Sequence, residues 1–203
     1  MRGLLLFAVL AASAFAESIE ALGMKWTVPT AAEWKLEKDG DVPVLRMLVA
    51  RPSQKPRRPI QFALAETADY QRVTVEAEVK RLGKSLIIVY AYRDAGHFNY
   101  AHLSADEAAK VPVHNGVFHV YGGDRVRISP QRGPASLPSA DEWYRVKLTY
   151  DADSGIAGVT VNEKTFPALE AVDLSLGAGK VGLGSFFETA LFRNVKITGT
   201  PAK

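Results

Sequence analysis

From about residue 34 onwards, apolar and polar residues alternate along most of this 203-residue chain. Two runs keep the alternation over four repeats, with apolar positions Val73, Val75, Ala77 and Val79 in the first and Tyr144, Val146, Leu148 and Tyr150 in the second. Successive side chains of a β-strand point to opposite faces, so this period of two is typical of strands with one buried face. The pattern therefore predicts a chain built mainly from half-buried strands.

Two other runs qualify the pattern. Residues 85–92 (SLIIVYAY) are apolar at nearly every position, which indicates a central strand covered on both sides. Near the C-terminus, Leu191, Val195 and Ile197 stand at odd positions, and we expect them to share one face of the last strand.

Turn-forming residues punctuate the strands at 38–41, 93–96, 121–124 and 151–155, each stretch containing Gly and Asp. Turns spaced by roughly 8–12 residues are typical of sandwiches and barrels. We predict about eleven or twelve strands in an all-β fold, a two-sheet antiparallel β-sandwich of the jelly-roll type. Such sandwiches often form one domain of about 200–250 residues, so residues 17–203 are predicted to be a single domain. Only residues 104–110 favour a short helix.

The first sixteen residues have the features of a targeting signal. Arg2 precedes an apolar stretch at 4–12, and Ala14 and Ala16 provide small residues before a cleavage site. We predict a signal peptide, residues 1–16, cut after Ala16; a buried N-terminal helix is the alternative. The stretch is too short to span a membrane. The sequence contains no cysteine, so neither a disulfide nor a thiolate metal site can form. We expect a periplasmic or secreted protein.

A formal net charge of +3 is too small to indicate nucleic acid or an anionic membrane as partner. The basic, proline-rich segment 51–59 (RPSQKPRRP) is predicted to be a solvated loop, with docking to a partner or a phosphate as the alternative. No serine-hydrolase elbow and no phosphate-binding loop occurs in the sequence.

All four histidines lie between residues 97 and 119. Odd spacing places His97 and His102 on opposite faces of a strand, whereas His102 and His114 meet if their strands pair. Neutral imidazoles suit a divalent metal, and one histidine suits a general base at neutral pH. Asp106 and Glu107 are the nearest carboxylates in sequence. The alternative for each histidine is a structural hydrogen bond.

Two further patterns bear on sugars. Glu76 and Glu78 share a strand face and stand about 7 Å apart, a separation that glycosidase carboxylates also show, but their alternation with core residues favours a solvated face. Around the histidines, aromatic and polar side chains alternate, as suits a ligand with apolar C–H faces and many hydroxyls. These are Tyr90, Tyr92, Arg93, Phe98, Asn99, Tyr100 and Tyr121.

An ordered series of motifs covers about residues 60–199. It consists of 92–103 (YRDAGHFNYAHL), His114-Asn115, Arg125 to Ile128, Trp143 to Val146, 179–186 (GKVGLGSF) and Phe192 to Val195. The series resembles bacterial exported domains of the concanavalin A-like lectin/glucanase superfamily, related to the 3-keto-disaccharide hydrolase (LamG-like) family. Relatives often have Asp-Asp-Thr-Gly where this chain has residues 187–190 (FETA), so a role of those acids would be absent here.

The resemblance implies a jelly roll that binds sugar on its concave face. It implies His102 and His114 as catalytic candidates, and as substrate-binding candidates Tyr92, Arg93, Asn115, Arg125 and His97. No cofactor is certain, and a divalent metal is possible. Three functions stay open: a carbohydrate-binding domain, a glycoside hydrolase or lyase acting on 3-keto-glycosides, and a non-catalytic structural or interaction module. No nucleic acid and no membrane span are expected.

Overall fold

The computed structural model describes residues 17–105 and 114–203. These residues form fifteen strands and one short 3₁₀ turn, Ala31–Glu33. The strands up to residue 104 are β1 (Glu17–Ala21), β2 (Met24–Val28), β3 (Trp34–Asp39), β4 (Val42–Met47), β5 (Gln61–Ala65), β6 (Tyr70–Arg81), β7 (Ser85–Asp94) and β8 (His97–Ser104). The later strands are β9 (Gly116–Tyr121), β10 (Arg125–Arg127), β11 (Tyr144–Asp151), β12 (Ile156–Val161), β13 (Lys164–Val172), β14 (Lys180–Ser185) and β15 (Ala190–Pro201).

The strands form two antiparallel sheets packed as a sandwich. An eight-stranded sheet has the order β1-β2-β5-β14-β7-β8-β9-β10, and a seven-stranded sheet has the order β13-β12-β11-β6-β15-β4-β3. The predicted fold class is therefore confirmed. The predicted strand count was too low, partly because β1 and β2 precede the point at which alternation becomes clear. The predicted signal peptide and the predicted helix after Ser104 lie largely outside the described residues.

The core between the sheets comes from the inward positions of the alternating strands. From β6 it takes Val73, Val75, Ala77 and Val79, and from β11 Tyr144, Val146, Leu148 and Tyr150. These are the same apolar positions that the alternation in the sequence predicted to be buried. Burying one such aliphatic side chain stabilises the fold by about 1.5–3 kcal/mol, so the alternation itself fixes which faces meet.

The last strand departs from the expected pattern. Its pairing with β6 shifts between Arg193 and Lys196, and Asn194 has a positive φ of 51°. Such a bulge inserts a residue and reverses which face the later side chains occupy. Val195 and Ile197 consequently pack against the core, whereas Leu191 lies near Trp143 on the outer side. The prediction that these three residues share a face was wrong.

The strand β7 is buried on both sides, as its composition predicted. Leu86, Ile88 and Tyr90 face the core between the sheets, and Ile87 and Val89 belong to a second apolar cluster. This second cluster covers the outer face of the eight-stranded sheet. The chain therefore buries apolar residues on both faces of one sheet, and the second cluster positions the candidate site.

Candidate functional site

The outer face of the eight-stranded sheet is filled by aromatic side chains. Phe98, Tyr100 and His102 alternate along β8 and all point to this face, while Phe118 comes from β9 and Phe186 follows β14. The rings of Tyr100 and Phe118 are stacked, with centroids 5.4 Å apart. The ring of His102 lies 5.4 Å from that of Phe186. Side chains of the protein itself thus occupy the middle of this face.

Arg125 lies at the rim of the aromatic face. Its guanidinium carbon is 4.5 Å from the centroid of the Phe118 ring and 4.1 Å from that of Phe186, so both rings hold it by cation–π contacts. One guanidinium nitrogen donates to the Tyr100 hydroxyl at 3.2 Å and lies 3.2 Å from Nδ1 of His102. The arginine is therefore fixed by four neutral groups.

Two more arginines lie beside it. Arg57 lies 5.7 Å from the centroid of Phe186, and Arg127 lies 5.8 Å from that of Phe118. Arg127 also donates to the carbonyl of Gln131 at 2.6 Å. It packs against Gly116, where a Cβ would collide with its guanidinium. The glycine in β9 thus makes room for a charged group next to the aromatic face.

The loop that carries Arg57 joins β4 of one sheet to β5 of the other. Its backbone amide at Arg57 donates to Oδ1 of Asp124 at 2.6 Å, and its carbonyl accepts from Arg125 at 3.0 Å. At its other end the amide of Arg51 donates to the carbonyl of Phe187 at 3.1 Å. These bonds hold the basic loop against the rim of the site, which the sequence alone did not indicate.

His102 is 1% exposed and lies within the aromatic face. Burial first, and then the charges of Arg125, His114, Arg57 and Arg127, hold the pKa of His102 well below its ordinary value. The imidazole is consequently neutral at pH 7. Its Nε2 is buried and has no hydrogen-bond partner among residues 17–105 and 114–203.

We call Arg57, His102, His114, Arg125 and Arg127 the basic cluster. Burial raises the pKa of Tyr100 beneath it, and burial and Arg132 lower the pKa of Arg127. Within the described part of the chain, neither Arg57 nor Arg125 forms an ion pair with a carboxylate. The site therefore combines several cations with aromatic rings.

The structure brings together three of the residues predicted from sequence. The rings of His102 and His114 have centroids 5.8 Å apart, and Arg125 contacts His102. Tyr92 lies on the same face, where its ring packs near Phe62 and Phe98 at 5.8 and 5.9 Å.

The other three predicted residues lie apart from the basic cluster. Arg93 donates to the carbonyl of Leu176 at 2.7 Å, and His97 lies 2.8 Å from Asp94. Asn115 is 1% exposed; its Oδ1 accepts from Ser136 Oγ at 2.6 Å, and its Nδ2 donates to the carbonyl of Pro134 at 2.8 Å. In the structure the amide of Asn115 holds the loop around residues 134–136.

His119 occupies the opposite face of the sheet. Its Nδ1 lies 2.8 Å from Oδ1 of Asn99 and 3.0 Å from Oδ2 of Asp173. Asn99 in turn donates to Asp173 at 2.8 Å. This histidine thus belongs to a hydrogen-bonded network away from the basic cluster.

The divalent metal that the sequence left possible stays untested. Across residues 17–105 and 114–203, no three His, Asp or Glu side chains are close enough together to hold a metal ion. Asp106 and Glu107, the nearest carboxylates in sequence, lie outside those residues.

Tyr100 was among the residues that the sequence predicted to suit a sugar, but Arg57, Phe118, Arg127 and Phe186 were not predicted as members of the site. Arg127 had a usable signal, since it is two residues from Arg125, the spacing that repeats a face along a strand. Arg57 and Phe186 lie in loops, and no local pattern relates them to β8.

Among the described residues, no helix is long and apolar enough to cross a membrane. No family model matches the chain, and no curated protein matches it in sequence.

Solved structures do resemble the chain. It is similar to the carbohydrate-binding module CBM66 from Bacillus subtilis, with a TM-score of 0.60 and 17% identity over 86% of this chain and 95% of that one. It is also similar to a protein from Parabacteroides distasonis provisionally described as a glycosyl hydrolase, with a TM-score of 0.57 and 15% identity over 84% and 91% of the two chains. A third is the alginate lyase AlyC3 in complex with dimannuronate, with a TM-score of 0.51 and 10% identity over 84% and 79%.

At these identities the likeness establishes the fold alone, a two-sheet antiparallel jelly roll. The resemblance to the 3-keto-disaccharide hydrolase family stays a prediction.

Proposed function

We propose that the protein is an exported carbohydrate-binding module whose glycan docks at the basic cluster. The observation that carries the proposal is Arg125, a half-buried guanidinium held in a fixed position by two rings, a phenol and an imidazole. Sugars offer hydroxyl and ring oxygens as acceptors, and a fixed guanidinium has five donors in a rigid fork. Pre-organised donors lose little entropy on binding.

The aromatic face limits where the ligand can lie. Phe98 and Tyr100 are fully buried, so a glycan reaches the rim formed by Arg57, Arg125 and Arg127 rather than the middle of the sheet. The similarity to a carbohydrate-binding module supports this reading at the level of fold.

Catalysis is the second function left open by the sequence. The neutral imidazole of His102 can accept a proton at pH 7, but the side chain is almost fully buried. Because a general base must reach the proton that it removes, the geometry favours binding over turnover. Because the protein's own side chains fill this face, a non-catalytic interaction module is the third alternative. The experiment below distinguishes the binding module, the enzyme and the interaction module.

The test is a glycan panel screened for saturable binding and for product formation. We expect binding without turnover, weakened at least about tenfold by Arg125→Ala, since removing a hydrogen bond to a charged group costs about 1.5–3 kcal/mol. Arg57→Ala removes an exposed side chain and should weaken binding with the fold intact. The matched control is Arg145→Ala, an exposed arginine of the seven-stranded sheet paired with Glu163 at 3.6 Å.

Saturable binding lost in both variants and kept in the control supports the proposal. Product formation that disappears in His102→Gln supports the enzyme instead. Absence of binding to every glycan, or equal binding by all variants, overturns the proposed site.

Export is tested separately by sequencing the N-terminus of the protein recovered outside the cytoplasm of the producing cell. We expect Glu17 as the first residue. An intact N-terminus, with all of the protein retained in the cytoplasm, overturns export and leaves the binding proposal untouched.

A further inference from the structure

The rings at the basic cluster are already covered. Arg125 lies over both Phe118 and Phe186, Arg57 approaches Phe186, and Arg127 approaches Phe118. A neutral sugar gains much of its affinity by placing its C–H face on an open aromatic ring. Here guanidinium groups occupy that position, so recognition at this site depends on the arginines.

The groups that directly contact the guanidinium of Arg125 among the described residues are neutral. It contacts a phenol oxygen, an imidazole that is neutral at pH 7, and two phenyl rings. Charged side chains taken out of water are normally paired with an opposite charge. Arg125 is partly buried and pairs with no carboxylate among residues 17–105 and 114–203, so its charge is uncompensated there. Arg57 is exposed to solvent and also lacks a carboxylate partner among those residues.

The nearby acids serve other groups. Asp124 accepts the backbone amide of Arg57 at 2.6 Å, and Glu188 accepts the backbone amide of Ser85 at 2.7 Å. Both carboxylates hold backbone segments in place and make no ion pair with the cluster. Like charges held close together repel one another, and a bound anion would relieve that repulsion.

We propose that the glycan of this site is anionic, a sugar chain whose ring carboxylates or sulfates are held by Arg57 and Arg125. The inference rests on the proposed function and narrows it to one chemical class. A planar guanidinium binds a carboxylate or a sulfate through two parallel hydrogen bonds. Two arginines at one rim can therefore select the charged group of a repeating sugar.

The experiment compares ligands that share a backbone and differ in charge. Oligogalacturonate is measured beside its full methyl ester by calorimetry, and dextran sulfate beside dextran. We expect the charged member of a pair to bind at least about tenfold more tightly. Its affinity should fall as salt is raised from 50 to 300 mM, roughly the range over which screening of exposed charges becomes strong. The two pairs tell whether the carboxylate or the sulfate is preferred.

Variants separate a site from general attraction to a basic protein. Arg57→Ala and Arg125→Lys should each weaken binding of the charged ligand at least about fivefold, since a lysine cannot reproduce the two-point contact. Arg145→Ala and Lys196→Ala, which remove charge from the seven-stranded sheet, should leave it unchanged. Equal losses in all four variants mean nonspecific attraction of polyanions and overturn the inference.

The remaining outcomes are distinguishable. Equal binding of acid and ester, or binding of neutral glycans alone, overturns the anionic ligand and leaves a carbohydrate-binding module. Failure of all glycans, charged and neutral, overturns both the inference and the function on which it rests.

Discussion

The outer faces of the two sheets differ in how their charged side chains are paired. On the seven-stranded sheet, cations lie beside anions: Arg193 with Glu78 at 2.6 Å, Arg145 with Glu163 at 3.6 Å, and Lys147 with Glu76 at 4.0 Å. On the eight-stranded sheet, Arg57 and Arg125 lie over aromatic rings and pair with no carboxylate of the described residues.

This difference separates a solvated surface from a candidate site. Paired charges on an exposed sheet are satisfied without a ligand and contribute little to stability. Arg125 is partly buried over two rings and pairs with no carboxylate of the described residues, so it marks the face on which a ligand with acceptor groups would gain most. The outer face of the eight-stranded sheet is therefore the better candidate for a functional site.

The largest effect expected from this comparison concerns stability. Phe98 is fully buried on the outer face of its sheet, so Phe98→Ala should lower the free energy of unfolding by about 3–5 kcal/mol. Thr149→Ala changes an outward position of the seven-stranded sheet and should stay within about 0.5 kcal/mol. Urea denaturation of both variants measures the difference.

Phe98→Leu keeps most of the apolar volume and serves where the alanine variant does not fold. Its loss should fall between the other two values. A Phe98→Ala loss as small as that of Thr149→Ala would show that the outer aromatic face is not a second core, and the contrast between the faces would disappear.

The next effect is a pH dependence just below pH 6.5, which the buried His102 of the eight-stranded sheet should cause. Burial and the surrounding cations hold the folded-state pKa of His102 below its ordinary value of about 6.5. Above pH 6.5 both states are neutral at this residue and stability is unaffected. Below it, the unfolded chain takes up a proton that the folded chain does not, so stability falls with pH by at most about 1.4 kcal/mol per unit.

Between pH 6.5 and 5, part of the loss of stability should therefore come from His102. In His102→Gln this part of the slope should be absent, which urea denaturation at several pH values will reveal. Parallel stability curves for the two proteins would mean that His102 takes up a proton as readily in the folded chain as in the unfolded chain, and that neither burial nor the surrounding positive charge lowers its pKa.

The sequence predicted the features that local patterns encode. Val75 and Leu148 face the core because each strand alternates, and the turns between strands carry Gly and Asp where the chain reverses. The bulge at Asn194 has no such signal, since one inserted residue with positive φ changes the face of Val195 without altering composition. Strand β1 was missed because five residues offer too little alternation to detect.

The candidate site was predicted only in part, because sequence motifs identify some of its residues and only the fold brings in the others. His102 and Arg125 came from an ordered family pattern, and the structure places them in contact. Arg57 and Phe186 reach the site through loops that are distant in sequence, and only the pairing of the strands brings those loops together. Contacts of this kind depend on topology, which single-strand patterns do not contain.

The smallest effect tests the seven-stranded side of the comparison. Arg193 and Glu78 are mostly buried, with side-chain exposures of 19% and 25%, and the hydrogen bond from Arg193 lowers the pKa of Glu78. A double-mutant cycle on this pair should give a coupling of about 1 kcal/mol, whereas the more exposed Lys147–Glu76 pair should give about zero. Unfolding of the single and double alanine variants supplies both values.

These couplings also bear on whether Glu76 and Glu78 are a catalytic pair. A carboxylate engaged by Arg193 stays ionised, so Glu78 cannot be the proton donor that glycoside cleavage requires of one partner. A coupling near zero for Arg193 and Glu78 would remove that obstacle and reopen the seven-stranded face as a site. A coupling near 1 kcal/mol would mean that the charges on this face are paired with one another, which leaves Arg57 and Arg125, unpaired among the described residues, as the arginines available to a ligand.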